Sequence, residues 1–297
     1  MKNSNFFSQM MSSIGKFFVK IWNGILNLRK KRGFNSILAS LFSIVIGIVI
    51  GLLLMLMIKP KDAFYGLAMM LTGGVSNISN IFQVLYTAAP LLMTGLAVGF
   101  AFKTGLFNIG AAGQYTVGAF FAIFGAVILK LPWYLDILLA ALGGALWGAI
   151  PGLFKAFLNV NEVITSIMFN WIGLFAVDLI IANTPRLLDT YYGGADQSRA
   201  VNVAGVNPGA KLPSLGMESL SPYMNVGIFI AIILAIVMFI ILNKTTFGYE
   251  LKACGYNKES SKYAGINAKR NIVLSMAISG ALAGIGGALT YLAGTAQ

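Results

Sequence analysis

Three amides stand out in this chain because of where they lie: Asn108, Gln114 and Asn170 sit inside apolar runs, in a sequence that is 58% hydrophobic and only 10% charged. Asn108 and Gln114 belong to the stretch 102–120, FKTGLFNIGAAGQYTVGAF, which opens beside the cation Lys103. Gly105, Gly110, Gly113 and Gly118 punctuate it. An amide in lipid is costly unless it meets a partner or lines a water-filled path. Glycine lets backbones approach closely, or lets a helix break. Two readings follow. The stretch is a discontinuous membrane segment bordering a path for a polar solute, or it is a tightly packed helix whose amides hold its neighbours. Asn170, in NEVITSIMFNW, lies eight residues after Glu162 at the start of the fifth span, about 12 Å along a helix and near mid-membrane. It too is either a path residue or an inter-helix hydrogen bond.

The chemistry these residues offer is hydrogen bonding to an uncharged solute. Phe107, Tyr115 and Trp171 stand nearby in sequence, as ring contacts for a base or as packing. The 297 residues contain no histidine, which removes histidine acid–base chemistry, a Ser-His-Asp triad and a histidine zinc site. No paired carboxylates fall at membrane depth, so a membrane-embedded enzyme is disfavoured and no metal site is expected. A single cysteine, Cys254, excludes an internal disulfide framework. The chain lacks a G-x-x-x-x-G-K-[ST] phosphate loop.

Charge content this far below the ~25% of soluble domains makes this an all-α, polytopic helical membrane protein. About seven spans are expected: 36–58, 81–101, 106–129, 133–154, 162–182, 223–242 and 271–292, each with the length a bilayer requires. Pro90 kinks the second. Gly144, Gly148 and Gly152, four residues apart, give the fourth span a face for close helix contact, and Gly280, Gly284 and Gly287 give the seventh another. Asn161 caps the fifth span, with Glu162 in its first turn.

The net charge of +12 does not point to nucleic acid, because the cations cluster between spans, where they set orientation. Residues 1–35 form a basic segment with seven cations and no acid, suited to lie as an amphipathic helix on an anionic leaflet or to remain a basic tail. The transmembrane domain covers 36–297. Its N-terminus is expected in the cytoplasm, with Lys103, Lys155 and the loop 244–270 on the same side and the loop 184–222 outside. Within 244–270, Asn257 is placed to cap a short helix over Lys258 to Ala264 that carries Glu259, Lys262 and Tyr263, and Gly265 is placed to end it. Such a helix between two spans is suited to docking in a partner's groove.

TGLFNIGAAGQ at 104–114, NEVITSIMFNW at 161–171 and GYNKESSKYAGIN at 255–267, in that order, resemble the permease subunits of ABC importers in the branched-chain amino acid/ribose group. The similarity is closest to the nucleoside branch, whose members work with basic membrane lipoproteins. The resemblance implies a multi-pass permease of the bacterial cell membrane that pairs with a second permease subunit. It further implies a cytoplasmic ABC ATPase docking on 257–265, an external substrate-binding lipoprotein, and ATP used by the ATPase rather than bound here. By the same resemblance the path falls near Asn108, Gln114 and Asn170, for a nucleoside or related small solute. The motif often has an acid where Ala112 stands, and alanines where Ser260 and Ser261 stand. Family members continue with further spans, so the chain is expected to be incomplete at its C-terminus. Permeation of sugars or branched-chain amino acids is the nearest alternative. An ion-coupled transporter or channel is the next, with Asp178 as its ionisable residue.

Overall fold

The structure is a computed structural model describing residues 34–194, 200–216, 218–219 and 221–294, with side chains from residue 39. Residues 1–33 of the basic segment 1–35, with Asp196 and Arg199, lie outside the described residues. The described residues contain no strand; a single bridge pairs Leu188 with Ala200. They divide into two compact units, one ending at Gly73 and one beginning at Gly74.

The first unit holds α1 (Phe34–Ile58) and α2 (Ala63–Thr72), joined by a tight turn. In that turn Lys59 N–H donates to the Met55 carbonyl at 2.8 Å, and Gly66 N–H to Asp62 at 2.7 Å. Gly66 leaves room for the Met55 thioether.

The second unit holds α3 (Ile78–Lys103), α4 (Ala111–Val127), α5 (Trp133–Leu158), α6 (Glu162–Ala182), α7 (Gly227–Lys244), α8 (Thr246–Tyr256), α9 (Lys258–Tyr263) and α10 (Ala268–Tyr291). Among the described residues, α1, α3, α5, α6, α7 and α10 are long and apolar enough to cross a membrane. The third expected span, 106–129, is corrected. Its first residues, Leu106 to Gly110, are not helical, and α4 has only 17 residues. At 1.5 Å per residue that reaches about 25 Å, short of the ~30 Å hydrocarbon core. The break has a local cause. Gly105 takes a φ of 74°, and the Asn108 side-chain Oδ1 accepts the Gly110 N–H at 3.1 Å, a bond that competes with the helix ladder.

The last helix is the centre of the second unit. Of the most apolar stretch of α10, 72% is buried, against 17–33% for the other long spans of this unit. Helices α3, α4 and α5 pack around it. Small residues make this possible, because helices in lipid have no water to escape and gain chiefly by close backbone contact. Gly144 and Gly148 of α5 meet Gly280, Gly284 and the backbone of Met276. On the other side of α10, Gly118 of α4 lies against Gly284, and Gly287 against the Tyr115 carbonyl. A methyl group at any of these positions would overlap backbone. Gly152 is looser, with its nearest neighbour the Met276 side chain at 3.0 Å. By contrast α7, rich in isoleucine and without an internal glycine, keeps Phe229, Ile232, Ile233 and Ile236 exposed.

The described residues of the connection between α6 and α7 pack on the end of the bundle. Leu187, Val201, Val203, Ala210 and Leu212 are all buried. Asn207 Nδ2 donates to the carbonyls of Ala126 and Leu131, at 3.0 and 2.9 Å, and so closes the C-terminal end of α4. At the opposite, basic end, α8 is an element the sequence analysis did not anticipate. Thr245 caps it by accepting the Gly248 N–H at 3.0 Å, and α9 follows it directly.

Candidate functional site

The break between α3 and α4 gathers two of the three amides into one buried network. Asn108 and Gln114 are each 1% exposed. Their side chains bond reciprocally: Asn108 Nδ2 donates to Gln114 Oε1 at 2.7 Å, and Gln114 Nε2 donates to Asn108 Oδ1 at 3.1 Å. Asn108 Nδ2 also donates to Ser279 Oγ at 2.7 Å, and that hydroxyl donates to the Ala97 carbonyl of α3 at 2.7 Å. One chain of bonds therefore ties α3, the break, α4 and α10 together. A buried polar group left without a partner costs ~1–3 kcal/mol, and here each amide is paired.

Asn170 completes the arrangement from α6. It is half-buried, and its Oδ1 accepts the N–H of Gly113 in the first turn of α4. The first N–H groups of a helix have no partner within it. Asn170 supplies one from a neighbouring span. Contact is close because Gly113 has no side chain: a Cβ there would lie 2.7 Å from the Asn170 Cα.

Phe107 and Trp171 are not brought into this cluster. They are 43% and 54% exposed; Phe107 lies edge-on to Phe102, and Trp171 stacks on Phe175. The Tyr115 hydroxyl turns to Thr290 of α10.

At the basic end the break touches the helices that follow α7. A Cβ on Gly255, at the end of α8, would lie 2.7 Å from the Gly105 nitrogen, and one on Gly105 would lie 2.6 Å from the Gly255 carbonyl oxygen. The two backbones are thus in direct contact. Beside them a cavity of about 260 Å3 is walled by Lys155, Glu162, Lys258, Asn271 and Ser275. Lys155 and Glu162 form an ion pair at 2.7 Å that joins α5 to α6. In α9, Asn257 Oδ1 accepts the Ser260 N–H at 3.0 Å, and Gly265 follows with a φ of 78°. Tyr263 is 94% exposed. Lys262 hydrogen-bonds both Glu259 oxygens at 2.9 Å and holds that carboxyl below the usual carboxylate range.

Sequence reasoning missed Ser279 and Asp136. A signal for the first exists: Asn271, Ser275 and Ser279 recur every four residues on one face of α10, and all are at most 2% exposed. Asp136 is fully buried in the first turn of α5 against Gly125, and its two oxygens have no hydrogen-bond partner among the described residues. It, rather than the exposed Asp178, is the buried acid of the spans. The described residues contain no cluster of three or more metal-ligating side chains.

Comparison with known proteins shows a permease family. Residues 80–297 match the family described as branched-chain amino acid transport system / permease component. The chain is 37% identical over 264 residues to the guanosine ABC transporter permease protein NupP of Bacillus subtilis, covering 87% of this chain and 72% of that one. It is 35% identical over 261 residues to the nucleoside ABC transporter permease protein NupB of Lactococcus lactis, covering 85% and 70%. It is 30% identical over 241 residues to the glucose ABC transporter permease protein TsgB13 of Haloferax volcanii, covering 79% and 62%. No solved structure matches it significantly.

Proposed function

We propose a function from one premise: this chain belongs to the branched-chain amino acid transport system permease family. It is the membrane permease subunit of an ABC importer that takes up nucleosides. The observation that carries the substrate class is the identity of 37% and 35% to a guanosine and a nucleoside permease, over more than four-fifths of this chain. The uncharged amides at the broken helix are consistent with a neutral, hydrogen-bonding solute.

In this reading the path runs past the start of α4. Asn108 and Gln114, buried and mutually paired, hold the break and shape the path without touching the solute. Asn170, with the exposed Phe107 and Trp171, offers surface to the solute or to a second permease subunit. The N-terminus and the basic end face the cytoplasm, supported by Lys103, Lys155, Lys244 and the cations of 252–270 all falling at one end. There a partner ATPase docks on α9 and hydrolyses ATP, and an external lipoprotein delivers solute at the other end. Contact between Gly255 and Gly105 supplies a mechanical link. Displacement of α8 and α9 presses on the loop that Asn108 braces, and so on the start of α4.

The test is ATP-dependent uptake of labelled guanosine, glucose and leucine by the complex reconstituted with its ATPase and lipoprotein. Saturable guanosine uptake that vanishes without ATP is the expected result. Uptake of glucose or leucine with no guanosine uptake would overturn the substrate class, and uptake independent of ATP would overturn the importer class.

A further inference from the structure

We propose that the cleft between α3 and α7 at the basic end binds an anionic phospholipid, with an acyl chain along Gly95 and Gly99 and the phosphate held by Lys103 and Lys252. The cleft has a volume of about 710 Å3. Its floor is Gly95 and Gly99 of α3, where a side chain would meet nothing within 4 Å. Its far wall is Met238, Phe239 and Leu242 of α7. From Gly95 to Lys103 is eight residues, about 12 Å along the helix. That depth fits inside one leaflet, half of a ~30 Å hydrocarbon core. The walls suit an alkyl chain and offer a solute little to bond.

The mouth is different in kind. Lys103, Lys252 and Tyr256 line both the cleft and an adjoining cavity of about 320 Å3, so the two spaces meet at these three residues. No carboxylate lines either space, and neither lysine forms an ion pair among the described residues. Two uncompensated ammonium groups at the end of an apolar cleft are complementary to a group with one negative charge and one long apolar tail. Basic pockets between helices at the membrane surface recognise acidic headgroups for this reason. A zwitterionic lipid fills the same cleft but brings its own cation to the lysines.

Native mass spectrometry of the full chain, purified in non-ionic detergent and titrated with phosphatidylglycerol or phosphatidylcholine of equal acyl length, tests the assignment. Phosphatidylglycerol is expected to be retained at collision energies that strip phosphatidylcholine. In Lys103→Gln/Lys252→Gln its affinity is expected to fall roughly tenfold or more. Lys103→Arg/Lys252→Arg is expected to keep it. Gly99→Leu, whose side chain enters open space, is expected to displace the lipid with both lysines intact. Equal binding of the two lipids, undiminished phosphatidylglycerol binding by the glutamine pair, or undiminished binding by Gly99→Leu would each overturn the proposal.

Discussion

Replacing Asn108 by leucine is the sharpest perturbation of the braced break, because its cost depends on what the partners lose. Leucine approximates the shape of asparagine and removes four hydrogen bonds. Three groups are then stranded: both ends of the Gln114 amide and the Gly110 N–H. Ser279 keeps its bond to the Ala97 carbonyl. At the low end of the cost of an unpaired buried group, ~1 kcal/mol each, Asn108→Leu destabilises by about 3 kcal/mol. Gln114→Leu is milder, since Asn108 retains Ser279 and Gly110; about 1 kcal/mol is expected. The double variant strands only the Gly110 N–H, so it also costs about 1 kcal/mol and is more stable than Asn108→Leu alone. The assay is reversible unfolding of the purified chain in detergent micelles for the four members of the cycle. Additive losses, or a double variant less stable than Asn108→Leu, would refute the closed pair. If guanosine uptake by the double variant recovers with stability, the amides act as a brace; if it stays abolished while stability returns, Asn108 or Gln114 touches solute and the brace reading fails.

Three further outcomes are expected. Gly148→Ala places a methyl group 2.6 Å from the Met276 carbonyl oxygen, with backbone on the other side, and so is expected to cost ~1–3 kcal/mol of stability by overpacking, whereas Gly152→Ala should cost less; thermal midpoints in detergent compare the two. Gly255→Ala presses on the Thr104–Gly105 backbone and should lower solute-stimulated ATPase activity while the chain still inserts and folds, and unchanged stimulation would sink the mechanical link. Charge reversal at Lys258 and Lys262 removes the ion pair to Glu259 and the basic face of α9, so ATPase binding should fall without loss of membrane insertion; normal uptake by Lys258→Glu/Lys262→Glu would reject docking at α9.

Asn170 and α8 show where sequence and structure part company. Asn170 was legible as an anomaly, a polar residue at membrane depth. Its role as an acceptor for the start of α4 was not, because its partner lies 57 residues away and is a backbone N–H with no residue type to betray it. Helix α8 was missed because Thr246 to Tyr256 mixes glycine, a charge pair and aromatics with no sustained apolar period, and its order comes from packing against α7 and α10. The third span was drawn too long because Leu106 to Gly110 is nearly as apolar as α4. The side chain of Asn108, not hydropathy, decides where that helix begins.

By itself the sequence determined that this is a polytopic helical membrane protein, where six of its long apolar helices lie, which end is basic, and the family it belongs to. These depend on composition, on apolar runs of bilayer length and on local motifs, all of which are properties of neighbours along the chain. Tertiary structure alone decided that the last helix is the most buried, that glycines from three helices meet at Gly284, and that Asn108 and Gln114 satisfy each other. In lipid, hydropathy cannot tell a helix that faces bilayer from one that faces protein. Only the matching of small residues and paired polar groups across helices does so, and that matching exists only once distant segments are side by side.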